Sequence, residues 1–139
     1  MGHRRVPAAH RSEVAAVASV VVADDDVNIR ELVAYRLRRD GHTVTTAEDG
    51  VQAVDLTRSG HPDVIVLDVM MPGLSGLDAA RLIRESPELS EARIILLTAR
   101  TQESDVAQGY AVGVDDYVTK PFSPLELSLR VTAVLARSR

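Results

Sequence analysis

Five side chains, far apart in the chain, have the types that phosphoryl chemistry needs. Asp24 and Asp25 follow one apolar run, Asp68 a second, Thr98 a third, and Lys120 ends a short fourth. Each run reads as a strand, so a parallel sheet with these C-terminal ends at one rim gathers three carboxylates, a hydroxyl and an ammonium. Packed carboxylates repel one another, and such a cluster calls for a cation. With neither His nor Cys beside them, an all-oxygen donor set suits Mg²⁺ or Mn²⁺ rather than zinc. Carboxylate, divalent cation, lysine and hydroxyl are the parts of a phosphoryl-transfer site: nucleophile, charge neutralisation and a clamp on the equatorial oxygens. No Gly-rich or Ser/Thr-rich loop follows the first strand, which speaks against a nucleotide or flavin mononucleotide site.

Positioning these groups requires a regular alternation of strands and helices. Ser19 to Ala23 reads as a buried strand, and Ile29, Leu32, Val33 and Leu37 recur at helical spacing before Gly41. His42 to Ala47 alternates polar and apolar residues, as an edge strand does, and a helix follows over Val51 to Ser59, ended by Gly60. Val64 to Leu67 is uniformly apolar and Asp68 closes it just before Pro72-Gly73 forces a turn; a helix is expected over Leu77 to Ser86. Ile94 to Leu97 is the next buried strand, ending at Thr98. A polar helix from about Gln102 leads through Gly113 to a short strand at Tyr117 to Thr119. Ser123-Pro124 supplies an N-cap and a first-turn proline for a last helix through about Ala136. With runs two and five as edges, the expected fold is α/β: a flavodoxin-like doubly wound (βα)5 with a five-stranded parallel sheet of order 2-1-3-4-5. Right-handed crossovers then place helices on both faces.

Composition bounds the function. The chain has 139 residues, 45% of them hydrophobic, enough for one domain with a sizeable core. Residues 1–17 carry Arg4, Arg5 and Arg11 against Glu13 and read as a flexible basic extension to a domain over 18–139. That leaves the domain with thirteen basic and nineteen acidic side chains, net −6, which argues against direct nucleic acid binding. The absence of Cys excludes disulfides and thiol catalysis and fits a cytoplasmic setting. The apolar run from Val14 to Ala23 spans only ten residues and stops at Asp24-Asp25-Asp26, so its Val-rich second half reads as a core strand rather than part of a secretory signal, and nothing approaches a membrane span.

The motifs resemble a known family, the receiver domains of two-component response regulators, over about Ser19 to Arg137. The markers are Val22-Ala23-Asp24-Asp25-Asp26 with Ile29-Arg30, Asp68-Val69-Met70-Met71-Pro72-Gly73 with Gly76, Thr98-Ala99, and Asp116-Tyr117-Val118-Thr119-Lys120-Pro121-Phe122. The resemblance implies that Asp68 accepts a phosphoryl group from the phosphohistidine of a sensor histidine kinase. It implies Mg²⁺, replaceable by Mn²⁺, bound by Asp25 and Asp68, with Asp24 acting through water and Met70 through its carbonyl. Lys120 becomes the phosphate clamp, its bond to Pro121 cis, and Thr98 and Tyr117 become the switch pair, Tyr117 turning inward when Thr98 engages the phosphoryl group.

The stretch from Tyr117 to Leu127 looks most like receivers that control a winged-helix DNA-binding domain. In that subfamily the fourth helix, fifth strand and fifth helix form a phosphorylation-dependent homodimer, here with Asp116, Glu126 and Arg130 as charge partners. Val106 and Gln108 stand where that subfamily usually carries basic residues. On the last helix, Leu125 and Leu129 form one apolar stripe expected to face the sheet. Leu127, Val131 and Val134 form a second, which is either more core or a partner surface. No output domain follows Arg139, so the expectation is either a single-domain regulator acting on a separate output protein or the receiver part of something longer. Two other readings are an unphosphorylated binding module, and a metal-dependent phosphohydrolase with Asp24 as nucleophile. The first needs a missing acceptor, acid pair or lysine. The second needs Thr or Val where Asn28 stands. Met70 and Arg100, each two residues beyond a site residue, are expected to limit access of the hydrolytic water.

Overall fold

The computed structural model describes residues 17–99 and 103–137; the basic stretch expected over 1–17 lies outside them except for Val17. The order is β1 (Ser19–Ala23), α1 (Val27–Arg39), β2 (Thr43–Ala47), α2 (Gly50–Gly60), β3 (Val64–Asp68), α3 (Gly76–Arg84), a 3₁₀ turn (Pro87–Leu89), β4 (Arg93–Ala99), α4 (Glu103–Val112), β5 (Asp116–Lys120) and α5 (Pro124–Ala136). All strand pairs are parallel, in the order β2-β1-β3-β4-β5. The uniformly apolar runs are therefore interior and the alternating and short ones are edges, as their patterns require.

Successive residues of the inner strands alternate between two cores. Val21, Ala23, Ile65, Leu67, Ile94 and Leu96 pack with Ala53, Val54, Leu77, Ala80 and Ile83, so α2 and α3 cover one face, joined by Val112 and Val114 around the end of α4. Val20, Val22, Val64, Val66, Ile95 and Leu97 pack with Val33, Ala34, Leu37, Leu127, Val131 and Val134, so α1 and α5 cover the other. Burying both faces removes most of the inner strands' apolar surface from water, the main driving force for this arrangement.

Three sequence expectations are corrected. The third helix stops at Arg84 rather than Ser86, because Pro87 pushes Ser86 out of the helical region to φ −94°, ψ 109°. The second helix includes Gly60, and the left-handed residue that ends it is His61, at φ 45°. On α5 the two stripes exchange roles: Leu127, Val131 and Val134 are fully buried, while Leu125 and Leu129 are 51% and 60% exposed. Both stripes have helical spacing, so periodicity alone does not choose between them. The phase is set where Ser123 caps the helix through Glu126 N–H and residues 127, 131 and 134 meet β4 and α1. Leu127 and Val131 are thus core, not partner surface.

Candidate functional site

Strand register assembles the acidic rim. Ala23 lies beside Leu67 and Asp68 beside Leu97, so Asp24 and Asp68 emerge next to one another where β1 and β3 end. One carboxylate oxygen from each of Asp24, Asp25 and Asp68 lies within 4.8 Å of the others. Asp24 and Asp68 are buried and Asp25 is exposed. Helix capping does not consume this pair: Asp26 is the N-cap of α1 and accepts from Asn28 N–H (2.9 Å) and Ile29 N–H (3.2 Å).

Lys120, at the end of β5, reaches across the rim. Its Nζ is 3.2 Å from Asp24 Oδ2 and 3.3 Å from Asp68 Oδ2, and both carboxylates hold the lysine pKa above its usual value despite burial. Burial, and then the Asp24 charge, push the Asp68 carboxyl up to about 6, against the opposing pull of Lys120. Met70 N–H donates weakly to Asp68 Oδ1 at 3.4 Å, and the Met70 side chain is 62% exposed at the rim. Asp24 Oδ2 is buried, and among the described residues its polar neighbour is the Lys120 ammonium, at hydrogen-bond distance but poorly aligned. A buried carboxylate oxygen left in this state beside two further carboxylates fits a hard divalent cation.

The other expected residues surround this centre. Thr98 is buried at the end of β4, beside Thr119, with Oγ1 donating to the Ala99 carbonyl at 3.3 Å. The Lys120–Pro121 peptide is cis. Tyr117 lies edge-on to Tyr110 with ring centroids 4.7 Å apart, and burial, with Tyr110 nearby, pushes its phenol up to about 12. Arg130 joins Asp116 (3.3 Å) and Glu126 (4.0 Å), so the expected charge partners meet within one chain. Gln108 is exposed. The Val106 side chain and Arg100 lie outside what is described.

Glycines around the rim were not legible as site residues. Gly76 packs on the backbone of Asp68, and Gly109 on the Tyr117 hydroxyl, with 2.1 Å between that oxygen and the place a Cβ would occupy. The sequence signal was present in the glycines themselves, but nothing in their spacing says what they lie against.

This geometry, a five-stranded doubly wound sheet with an acid cluster and a lysine at the rim, is that of a phosphoacceptor receiver. The family model for the response regulator receiver domain matches residues 20–132, and the chain belongs to that family. Among curated proteins it is 43% identical over 119 residues to the alkaline phosphatase synthesis transcriptional regulatory protein PhoP of Bacillus subtilis, covering 86% of this chain and 49% of that one. It is 43% identical over 122 residues to the transcriptional regulatory protein YvrH of the same organism, covering 87% and 50%. The chain thus spans about half the length of the curated relatives it matches. Among solved structures, a putative response regulator from Chloroflexus aurantiacus superposes with a TM-score of 0.82 at 33% identity, covering 88% of this chain and 100% of that one. The BeF3-activated DrrB receiver domain superposes with 0.77 at 38% identity, covering 88% and 100%. The chain is a regulatory receiver of the two-component kind, similar to those of transcription regulators. Among the described residues no helix is long and apolar enough to cross a membrane.

Proposed function

We propose that residues 18–139 act as a cytoplasmic phosphorylation switch in which Asp68 is the acceptor. The observation that carries this reading is Lys120 spanning Asp24 and Asp68, 3.2 and 3.3 Å away, over a buried carboxylate at a strand end. With its carboxyl near 6, Asp68 is mostly ionised at pH 7 and able to attack. One of its oxygens bonds to the phosphorus of a histidine kinase's phosphohistidine as the P–N bond breaks. The electron pair returns to the imidazole, which takes up a proton from solvent, and Asp68 becomes an acyl phosphate. Lys120, kept as an ammonium by the two acids, holds a phosphoryl oxygen. Asp24, Asp25 and Asp68, with the Met70 carbonyl, would hold Mg²⁺ or Mn²⁺, which when bound neutralises charge on the phosphoryl oxygens. Ile29, Leu32, Val33, Pro121 and Phe122 line an open apolar groove of about 410 Å³ beside Lys120, surface for the donor protein next to the acceptor.

Phosphorylation then biases the surface formed by α4, β5 and α5 toward a homodimer or an output partner, through Thr98 and Tyr117. The exposed Leu125 and Leu129, with Glu126 and with Arg130 anchored on the buried Asp116, are the contacts this surface offers. A DNA-binding output domain, as in transcription regulators of this kind, is the proposed recipient. Intact-mass measurement after incubation with a small acyl-phosphate donor and Mg²⁺ tests the reading. One phosphoryl increment, stable in acid and lost in mild base, is expected. A folded, metal-binding protein that gains no mass would favour the binding module, and turnover that survives Asp68→Asn would favour the hydrolase.

Two further outcomes follow from the site. Gly109→Ala forces the Tyr117 hydroxyl out of its place, since the new methyl would meet it and Leu96 Cδ1 at 2.9 Å. Phosphorylation should persist at close to its normal rate, while the Tyr117 phenol moves from about 12 toward its ordinary 10 in a spectrophotometric titration. An unchanged titration would mean that the ring does not move. Separately, replacing Met70 and Arg100 together by small residues should speed loss of the acyl phosphate severalfold; a decay rate equal to wild type would remove them as barriers to water.

A further inference from the structure

The Asp25 carboxylate is the least supported member of the acid cluster. It is exposed, and among the described residues no hydrogen bond or ion pair holds it, whereas Asp24 and Asp68 are buried and joined by Lys120. Its direction is therefore set by its own backbone, beginning with the peptide plane that Asp24 C=O shares with Asp25 N–H. One side chain grips that plane. Arg30, one turn into α1, donates from Nη1 to the Asp24 carbonyl oxygen at 2.8 Å. Its side chain is only 11% exposed, and its Nε lies 3.8 Å from Glu31 Oε2.

The remaining ties fasten everything around the plane. Asp24 N–H donates to Ala47 C=O on β2 at 3.2 Å, Asp24 Oδ1 accepts from Asp26 N–H at 3.0 Å, and Arg30 N–H closes the first helical bond to Asp26 C=O at 2.9 Å. These contacts hold Asp24 and Asp26 on either side of Asp25. Among the described residues only the Arg30 guanidinium holds the carbonyl between Asp24 and Asp25, so we infer that Arg30 is a positioning residue that aims the Asp25 carboxylate into the metal-binding cluster. Hydrogen bonds that orient a metal's ligands without touching the metal alter affinity by roughly 10–100-fold in other proteins. This rests on the reading that the cluster binds a divalent cation during phosphoryl transfer.

The test is Mn²⁺ binding to the full chain, followed by electron paramagnetic resonance of the free ion, for wild type, Arg30→Met and Arg30→Lys. Methionine keeps an apolar stem and removes the donor; lysine restores a charged donor with poorer geometry. Arg30→Met is expected to bind Mn²⁺ about tenfold more weakly, with Arg30→Lys between it and wild type. Phosphorylation should need correspondingly more Mg²⁺ for half its maximal rate, with the rate at saturating Mg²⁺ within about twofold of wild type. Wild-type Mn²⁺ affinity in Arg30→Met would overturn the inference, as would a loss of maximal rate with unchanged Mg²⁺ dependence. If Arg30→Met does not fold, Arg30→Lys decides alone: an affinity equal to wild type overturns it and a severalfold loss supports it. Wild type that binds Mn²⁺ but takes up no phosphoryl group would defeat the proposed function and leave this comparison intact.

Discussion

Asp68→Asn is expected to abolish phosphoryl uptake and, without metal, to make the protein more stable. The amide has the shape of the carboxyl but no nucleophilic charge, so the loss of phosphorylation is complete. The gain in stability follows from proton linkage. Burial and the Asp24 charge raise the Asp68 carboxyl from 3.8 to about 6 in the fold. The folded state therefore binds this proton more tightly than the unfolded chain does, and stability falls as pH rises from about 4 to about 6. At pH 7 the folded protein bears the whole cost of the ionised group, about 3 kcal/mol as an upper figure. Asparagine removes it. Urea unfolding followed by circular dichroism, with chelator present, should give Asp68→Asn the higher midpoint at pH 7, the difference shrinking toward pH 4. Comparing the two proteins cancels the distant titrating groups and leaves Asp68 together with its coupling to Asp24 and Lys120. With saturating Mg²⁺ the order should narrow or reverse, because the cation binds the folded wild type through a ligand that the variant lacks. A metal-free variant less stable than wild type at pH 7 would mean that Lys120 more than repays the burial of Asp68.

Burial pattern explains what was legible in the sequence and what was not. Strand order could be read because burial on both faces demands uniformly apolar runs, as in Val64 to Leu67, while the edge strand Thr43–Ala47 alternates. Once the order is known, Asp24, Asp68, Thr98 and Lys120 must share a rim, since all stand at or just past C-terminal strand ends. Which of three consecutive acids caps the helix was not legible: Asp26 differs from Asp24 and Asp25 only in where α1 starts. The faces of α5 were ambiguous for a similar reason, with Leu125 and Leu129 repeating as regularly as Leu127 and Val131. Pattern gives period but not phase, and phase is fixed by tertiary contact. Arg30 stood out as part of a motif but its contact did not, because its partner is a backbone carbonyl, a group every residue carries.

Gly76→Ala is the substitution outside the acid cluster with the largest expected cost. Gly76 N–H donates to Val69 C=O at 3.0 Å as α3 begins, just after the Ser75 cap. A Cβ there would stand 2.2 Å from the Asp68 carbonyl oxygen, 2.8 Å from its carbon and 2.9 Å from Val69 Cα. Every one of these atoms is backbone, so no side chain can rotate away and relieve the clash. Either α3 lifts off the sheet, opening the packing of Leu77, Ala80 and Ile83, or the end of β3 shifts and takes Asp68 with it. The expected loss is about 3 kcal/mol, a fall of about 10 °C in Tm. Gly60→Ala is the matched control: nothing lies within 4 Å of its added methyl, and at the end of a helix it should be neutral or stabilise by up to about 1 kcal/mol. The two routes of relaxation are separable below the melting temperature. If β3 shifts, folded Gly76→Ala takes up the phosphoryl group at least tenfold more slowly; if α3 lifts, stability falls while the rate holds. The β3 route is expected, because the nearest atom belongs to Asp68 itself and the Gly76–Val69 hydrogen bond ties the helix to the turn that follows. A glycine fixed by contact with the backbone of Asp68 makes the start of α3 part of what holds that carboxylate in place.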